Sequence, residues 1–194
     1  MRRRGLTLIE VLISVTLFGV VMAAASRQMI EGLRLSMKTA QVVEFESNSR
    51  RLLDRLNEDV RSAEMVVVYP EFADRGATVG DGSYGNYVVL HQVAASGAIT
   101  RTIGYYLVAN GNGEAWSLYR HDSANGGIAP GELPDAGAAK AYSRLVRSVQ
   151  VPAGQRLFRA WRNRGFTVRG QFGTPGASVS RQLEYVQCSF TTRS

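Results

Sequence analysis

Few residues in this chain have a type and spacing that could do chemistry. One is Glu10, the single charge between Gly5 and Arg27; the others are His91, His121 and Cys188. The two histidines stand far apart, and no HExxH, carboxylate–His cluster or G-x-S-x-G accompanies them. Cys188 is the only cysteine, so no intramolecular disulfide and no CxxC pair can form. The alternation of Val186, Cys188 and Phe190 predicts a thiol turned into the core, since free cysteine behaves as a small hydrophobe. Gly80, Gly82 and Gly85 match G-x-G-x-x-G literally, but a strand pattern follows them instead of a helix, which removes the phosphate-binding context. Asp81, Ser83 and Asn86 lack the spacing of an EF-hand calcium loop. On this reading the chain has no catalytic residue, no cofactor site, no metal site and no small-molecule substrate.

Glu10 lies inside Leu6–Ser26, an apolar stretch of 21 residues. As a helix it would be about 32 Å long, against a hydrocarbon core of about 30 Å. Arg2, Arg3 and Arg4 precede it, which predicts a cytoplasmic N-terminus with the remainder crossing the membrane. Three readings compete. One is a secretory signal with Ala23-Ala24-Ala25 as its cleavage site, releasing a soluble exported protein after Ala25. Another is an uncleaved single-pass anchor. The third is a signal cut on the cytoplasmic side, before the apolar stretch.

The carboxylate discriminates among them. An acidic side chain within a membrane span costs roughly 1–3 kcal/mol, depending on depth. A plain signal or anchor has no use for it, and a buried carboxylate needs a cation. Cleavage after Gly5 would give Leu6 a free α-ammonium, with Glu10 four residues along, about 6 Å up the helix axis. The two groups could then pair within one chain, or between neighbours in a bundle of helices.

Gly5-Leu6-Thr7-Leu8-Ile9-Glu10 resembles the type IV prepilin cleavage and methylation motif: Gly, an apolar residue, Thr, Leu, an apolar residue and Glu. Leu6 stands where that family usually has Phe. The resemblance covers about 25 residues and joins a short basic leader, a Gly, a Glu at fixed offset and a full-length apolar helix. It implies cleavage between Gly5 and Leu6 by a prepilin peptidase, N-methylation of Leu6, and Glu10 as the assembly residue.

Helical signals persist beyond the apolar span. No proline precedes Pro70, and Ile30, Leu33 and Met37, then Leu52, Leu53, Leu56, Val60 and Ala63, recur at three- and four-residue steps. Gly32 permits a bend. The run Arg50, Arg51, Asp54, Arg55, Glu58, Asp59 and Arg61 reads as the solvated face of this amphipathic helix. The helix is expected to end near Met65–Tyr69, before Pro70.

The second half is turn-rich and strand-like. Strands are predicted over Tyr87–Val93, Thr100–Val108, Ala115–His121, Leu145–Val151, Phe166–Phe172 and Leu183–Phe190, with loops over 70–86 and 122–139. Asn110-Gly111-Asn112-Gly113 is a hairpin signal. Trp116, Leu118 and Arg120 share one face of their strand, and Ser117, Tyr119 and His121 the other. Arg156, Arg159, Arg162 and Arg164 surround Phe158 and Trp161. They read as an exposed basic edge strand, with a docking surface for an acidic partner as the alternative.

The expected organisation is a leader (1–5), a transmembrane assembly helix (6–26), the amphipathic half of the helix (27–68) and a β-rich periplasmic domain (69–194). The fold class is α+β: a long N-terminal helix packed on an antiparallel sheet, pilin-like. In size and layout, residues 50–190 are similar to the J-type minor pseudopilin of type II secretion and to the W-type minor pilin. The paired cysteines of many major pilins are absent, which favours the minor or pseudopilin role. What the resemblance implies is a non-enzymatic subunit of the bacterial inner membrane, built with other pilin-like subunits into a pseudopilus that drives protein transport. A type IV pilus and a DNA-uptake pseudopilus are the alternatives. The net charge is +7, and without Arg2–Arg4 it is +4, with no dense Lys/Arg block that argues for nucleic acid.

Overall fold

The computed structural model describes residues 7–110, 116–125, 128–151, 155–161, 165–173 and 184–191, without the side chains of 41, 42, 44–46, 48, 49, 148, 171–173 and 184–191. The expected scissile bond between Gly5 and Leu6 lies outside the described residues, as does the Cys188 side chain. The chain divides into two units, residues 1–44 and 45–194.

In the first unit the backbone is helical from Leu8 onward, within α1 (Leu8–Arg61). Four of its hydroxyls serve the helix itself. Ser14, Thr16, Ser26 and Thr39 each donate a hydroxyl to the carbonyl four residues back. In the apolar stretch this leaves the Ser14 and Thr16 hydroxyls satisfied by the backbone. The apolar side chains are open on every side, from Leu8 through Val20 to Met37. Over residues 8–26 the helix is apolar all round apart from Glu10, and its large apolar side chains are exposed, which suits a membrane or a bundle of like helices.

In the second unit α1 becomes one-sided. Leu52, Leu56 and Val60 are buried at four-residue steps, while Asp54, Arg55, Glu58 and Arg61 are exposed. Two expectations need correction here. Asp59 is not on the solvated face: it is only 4% exposed, for a reason given below. The helix also ends at Arg61, earlier than expected. Met65–Tyr69 forms strand β1 instead, pairing along its length with residues 87–91. A run of three β-branched valines beside an open strand edge gains a ladder that further helix would not give.

The remaining strands are β2 (Tyr84–Gly85), β3 (Tyr87–Val93), β4 (Ile99–Ala109), β5 (Trp116–Asp122), β6 (Ser143–Gln150), β7 (Phe158–Trp161), β8 (Gly165–Gly173) and β9 (Glu184–Thr191). The six predicted strands are all present, to within about two residues at each end. Every pairing is antiparallel, in the order β1-β3-β4-β5-β6-β8-β7-β2, with β9 also on β8. β7 is not an edge: it pairs with β8 on one side and β2 on the other.

β2 and β3 are one stretch of chain broken only at Asn86. β3 pairs with β4 and β2 with β7, so the sheet closes on itself through this stretch. Asn86 makes the join. Its backbone N–H donates to Pro70, its carbonyl accepts from Leu107, and its side-chain oxygen accepts from Leu157 N–H. Gly85 follows from the same geometry: a Cβ there would stand 2.1 Å from the Tyr69 carbonyl oxygen.

Two cores result. The inner one joins Leu52, Leu56, Val60 and Ala63 to Val66, Val88, Ile103, Leu118, Val149, Phe158 and Phe166. The other side of β3–β5 carries Tyr87, Val89, Tyr106 and Tyr119, roofed by Phe72 and by Leu133, Ala139 and Tyr142. The architecture is α+β, with helix and antiparallel sheet sharing one inner core.

Candidate functional site: an N-terminal carboxylate and a buried charge network

Glu10 stands three residues inside the N-terminus of α1. Its Oε2 accepts the Thr7 backbone N–H at 2.9 Å and the Thr7 hydroxyl at 3.1 Å. Thr7-x-x-Glu10 thus has the spacing of a capping box, in which the carboxylate satisfies a donor that the first helical turn leaves over. The negative charge also meets the positive end of the helix dipole. The carboxylate is therefore held at the helix start, on the side of the expected scissile bond. Around it Leu8, Ile9, Val11 and Leu12 are all exposed. The described part of the apolar segment, Leu8–Ala40, has a mean hydropathy of 2.3 over its best window and is long enough to cross a membrane.

A second constellation joins α1 to the sheet. Arg120 on β5 donates from Nε to Asp59 Oδ2 at 2.9 Å and from Nη2 to Asp59 Oδ1 at 3.2 Å. The Tyr105 hydroxyl donates to the same Asp59 Oδ2. Arg120 Nη2 also reaches Asp122 Oδ2 at 2.9 Å, and Arg101 grips both oxygens of Asp122 at 2.9 and 2.6 Å. The chain runs Tyr105–Asp59–Arg120–Asp122–Arg101, with both carboxylates buried. Burial pushes the Asp122 carboxyl up, but the bonds from Arg101, Ala124 N–H and Arg120 outweigh it and hold the group well below the usual range. Every acid here already has its donors, so nothing in the network is poised for proton transfer or nucleophilic attack. Its work is to fix α1 on the sheet.

The histidines lie on the opposite face of the sheet. His121 is 2% exposed, with Nε2 2.8 Å from the Tyr87 hydroxyl and its ring packed on Gly104. Burial, aided by the nearby Arg120 charge, pushes His121 down to about 4. His91 shares a 3.2 Å hydrogen bond with Thr102, and burial lowers it as well. No group of three or more His, Cys, Asp or Glu side chains able to hold a metal occurs among the described residues.

Only one part of this was visible in the sequence. Trp116, Leu118 and Arg120 do share a face, as their alternation predicts, and that face is the core. An arginine at a core-facing strand position demands a buried carboxylate. Asp59, one residue from buried Val60 in the helical repeat, was the available answer.

Residues 1–26 match the family model described as the prokaryotic N-terminal methylation motif, the prepilin-type signature of type IV pilins and pseudopilins. The match covers Arg2–Arg4, Glu10 and the apolar stretch, and it supports a pilin or pseudopilin subunit that is processed by a prepilin peptidase and assembles with other pilins. It also suits a single-pass subunit anchored in the inner membrane. No curated protein and no solved structure matches the chain.

Proposed function

We propose that this chain is a non-enzymatic minor subunit of a pilus-like assembly, the pseudopilus of a type II protein secretion system. The observation that carries the reading is Glu10, the one charge in an exposed apolar helix that carries the methylation motif. Arg2–Arg4 hold the N-terminus in the cytoplasm and the sheet domain lies in the periplasm. A prepilin peptidase cuts between Gly5 and Leu6, and Leu6 is methylated. The helix then leaves the bilayer for a bundle of similar helices, where Glu10 pairs with a Leu6 α-ammonium. Burying that carboxylate is tolerable only beside such a cation. The lone cysteine and the size and layout of the sheet half favour a minor secretion subunit over a major pilin.

Glu10→Ala tests the reading. Membrane insertion should stay at the wild-type level, because removing a charge favours the apolar phase. Recovery of the chain in the sheared filament fraction should be lost. Normal assembly of Glu10→Ala, or a mature chain whose mass shows an intact Met1, overturns the proposal.

A further inference from the structure

The charge of the chain is unevenly placed. Residues 6–140 hold eleven basic and fifteen acidic side chains, a balance of −4. Residues 141–194 hold nine arginines and one acid, Glu184, a balance of +8. An asymmetry of this size between two parts of one chain marks an interaction surface for a partner of opposite sign.

Within this stretch the structure builds one arginine into a fixed mount. Arg159 lies on β7, on the side away from buried Phe158 and Ala160. Its Nε donates to the Gly82 carbonyl at 2.9 Å. Its guanidinium sits 4.7 Å from the centre of the Trp161 ring and 5.5 Å from that of Tyr84. Trp161 is held in turn by its Nε1–H bond to the Thr167 hydroxyl at 2.9 Å. Trp161 is 44% exposed; in the sheet domain only it and Met65 are large apolar side chains that open among the described residues. No carboxylate pairs with Arg159 among the described residues, and Arg156 beside it meets Glu71 only at 3.7 Å.

We propose that the Arg159–Trp161–Tyr84 mount on β7 and β2 is a docking site for an acidic polypeptide segment of another protein. A guanidinium stacked on aromatic rings and tied through Nε keeps its Nη donors in one orientation. It therefore loses little entropy on gripping a carboxylate. Against a nucleic-acid strand, the guanidinium takes one face of each ring on which bases would stack. Arg144 and Arg147, exposed on β6, add charge of the same sign to the sheet domain.

The test uses the full chain in detergent, unassembled, so its outcome is separate from that of the filament reading. The probes are a short polyglutamate peptide and an oligothymidine strand of equal charge. Polyglutamate should bind in a salt-sensitive manner, and Arg159→Gln should weaken it about tenfold, as loss of a charged bidentate contact does. Trp161→Ala, which changes no charge, should weaken it severalfold by unseating Arg159. Arg50→Gln removes the same charge from the exposed face of α1 and should change binding less than about twofold. Should Arg159→Gln not fold, Arg159→Lys keeps the charge and should still lose most of the affinity. Equal losses in Arg159→Gln and Arg50→Gln, unchanged binding in both Trp161→Ala and Arg159→Lys, tighter binding of the oligothymidine, or no binding of polyglutamate each overturns the proposal.

Discussion

Arg120 holds both oxygens of Asp59, from the middle of the sheet to the last turn of α1, with both side chains less than a tenth exposed. Removing one partner of such a pair strands a buried charge and costs about 3–5 kcal/mol, whereas replacing both by apolar groups is often neutral. Asp59→Ala should therefore lower unfolding stability by about 3–5 kcal/mol. The double variant Asp59→Ala/Arg120→Leu should regain part of that loss, although Asp122 then keeps only Arg101 and the Ala124 N–H. Denaturant unfolding of both chains in one detergent checks this. A double variant no more stable than Asp59→Ala would show that the pair itself, not the stranded charge, holds the helix down.

His121 makes stability depend on pH. Its folded-state value is pushed down to about 4 by burial and by Arg120, against an ordinary 6.5. Around it lie Tyr87, Tyr106 and Tyr142, with Arg75, Asp122 and His91 as the nearby charged or titrating groups. Between pH 4 and 6.5 the unfolded chain binds more protons than the folded one at this site, so stability falls as pH falls through that window. His91 is shifted in the same direction and adds to the slope. Below it, Asp122, whose folded value is depressed, continues the loss as it protonates. The His121 contribution is on the order of 3 kcal/mol across the window. Melting temperatures across this range should fall steadily for the wild type, and His121→Gln should flatten the slope to what His91 leaves. An unchanged slope in that variant would remove His121 as its source.

Closure of the sheet depends on a missing side chain. A Cβ on Gly85 would stand 2.1 Å from the Tyr69 carbonyl oxygen, a backbone atom that can yield only by moving β1. One on Gly104 would stand 2.0 Å from His121 Nε2. Overpacking of this kind costs about 1–3 kcal/mol or more. Gly85→Ala and Gly104→Ala should each destabilise by at least that much. Gly104→Ala should also flatten the acid slope, because the imidazole must leave its bond to Tyr87. Gly76→Ala, where a Cβ meets nothing within 4 Å, should lie within about 0.5 kcal/mol of wild type.

What the sequence made legible follows from the range of the interactions involved. The apolar span and the strand patterns of β3, β4, β5 and β8 are local, and each appears where it was expected. Asp59 was misplaced because helical periodicity tells which face a residue occupies only when its neighbours agree, and Asp59 sits at the seam between Val60 and Glu58. Its true partner is 61 residues away on another element. The same holds for β7. Its short run is paired by β2, two residues at Tyr84–Gly85 that carry no strand pattern of their own. Contacts between distant segments, set by closure of the sheet, decide both cases.

The two parts of α1 should respond oppositely to the same substitution. Leu56 is 1% exposed in the inner core, whereas Leu12 is 60% exposed among other open apolar side chains. Leu56→Ala removes buried methyl groups and leaves a cavity, so it should cost about 2–5 kcal/mol of unfolding stability. Leu12→Ala opens no cavity in the inner core, of which Leu12 is not a member, so the unfolding transition of the sheet domain should not move. Placing a charge reverses the ranking of readouts. Leu12→Arg should leave the sheet domain's unfolding unchanged while disfavouring membrane insertion by about 3 kcal/mol, read as a fall in the membrane-integrated fraction. If Leu12→Arg inserts as well as wild type, the apolar segment is not what carries this chain into the bilayer, and the reading of Glu10 as a charge that must be neutralised there loses its basis.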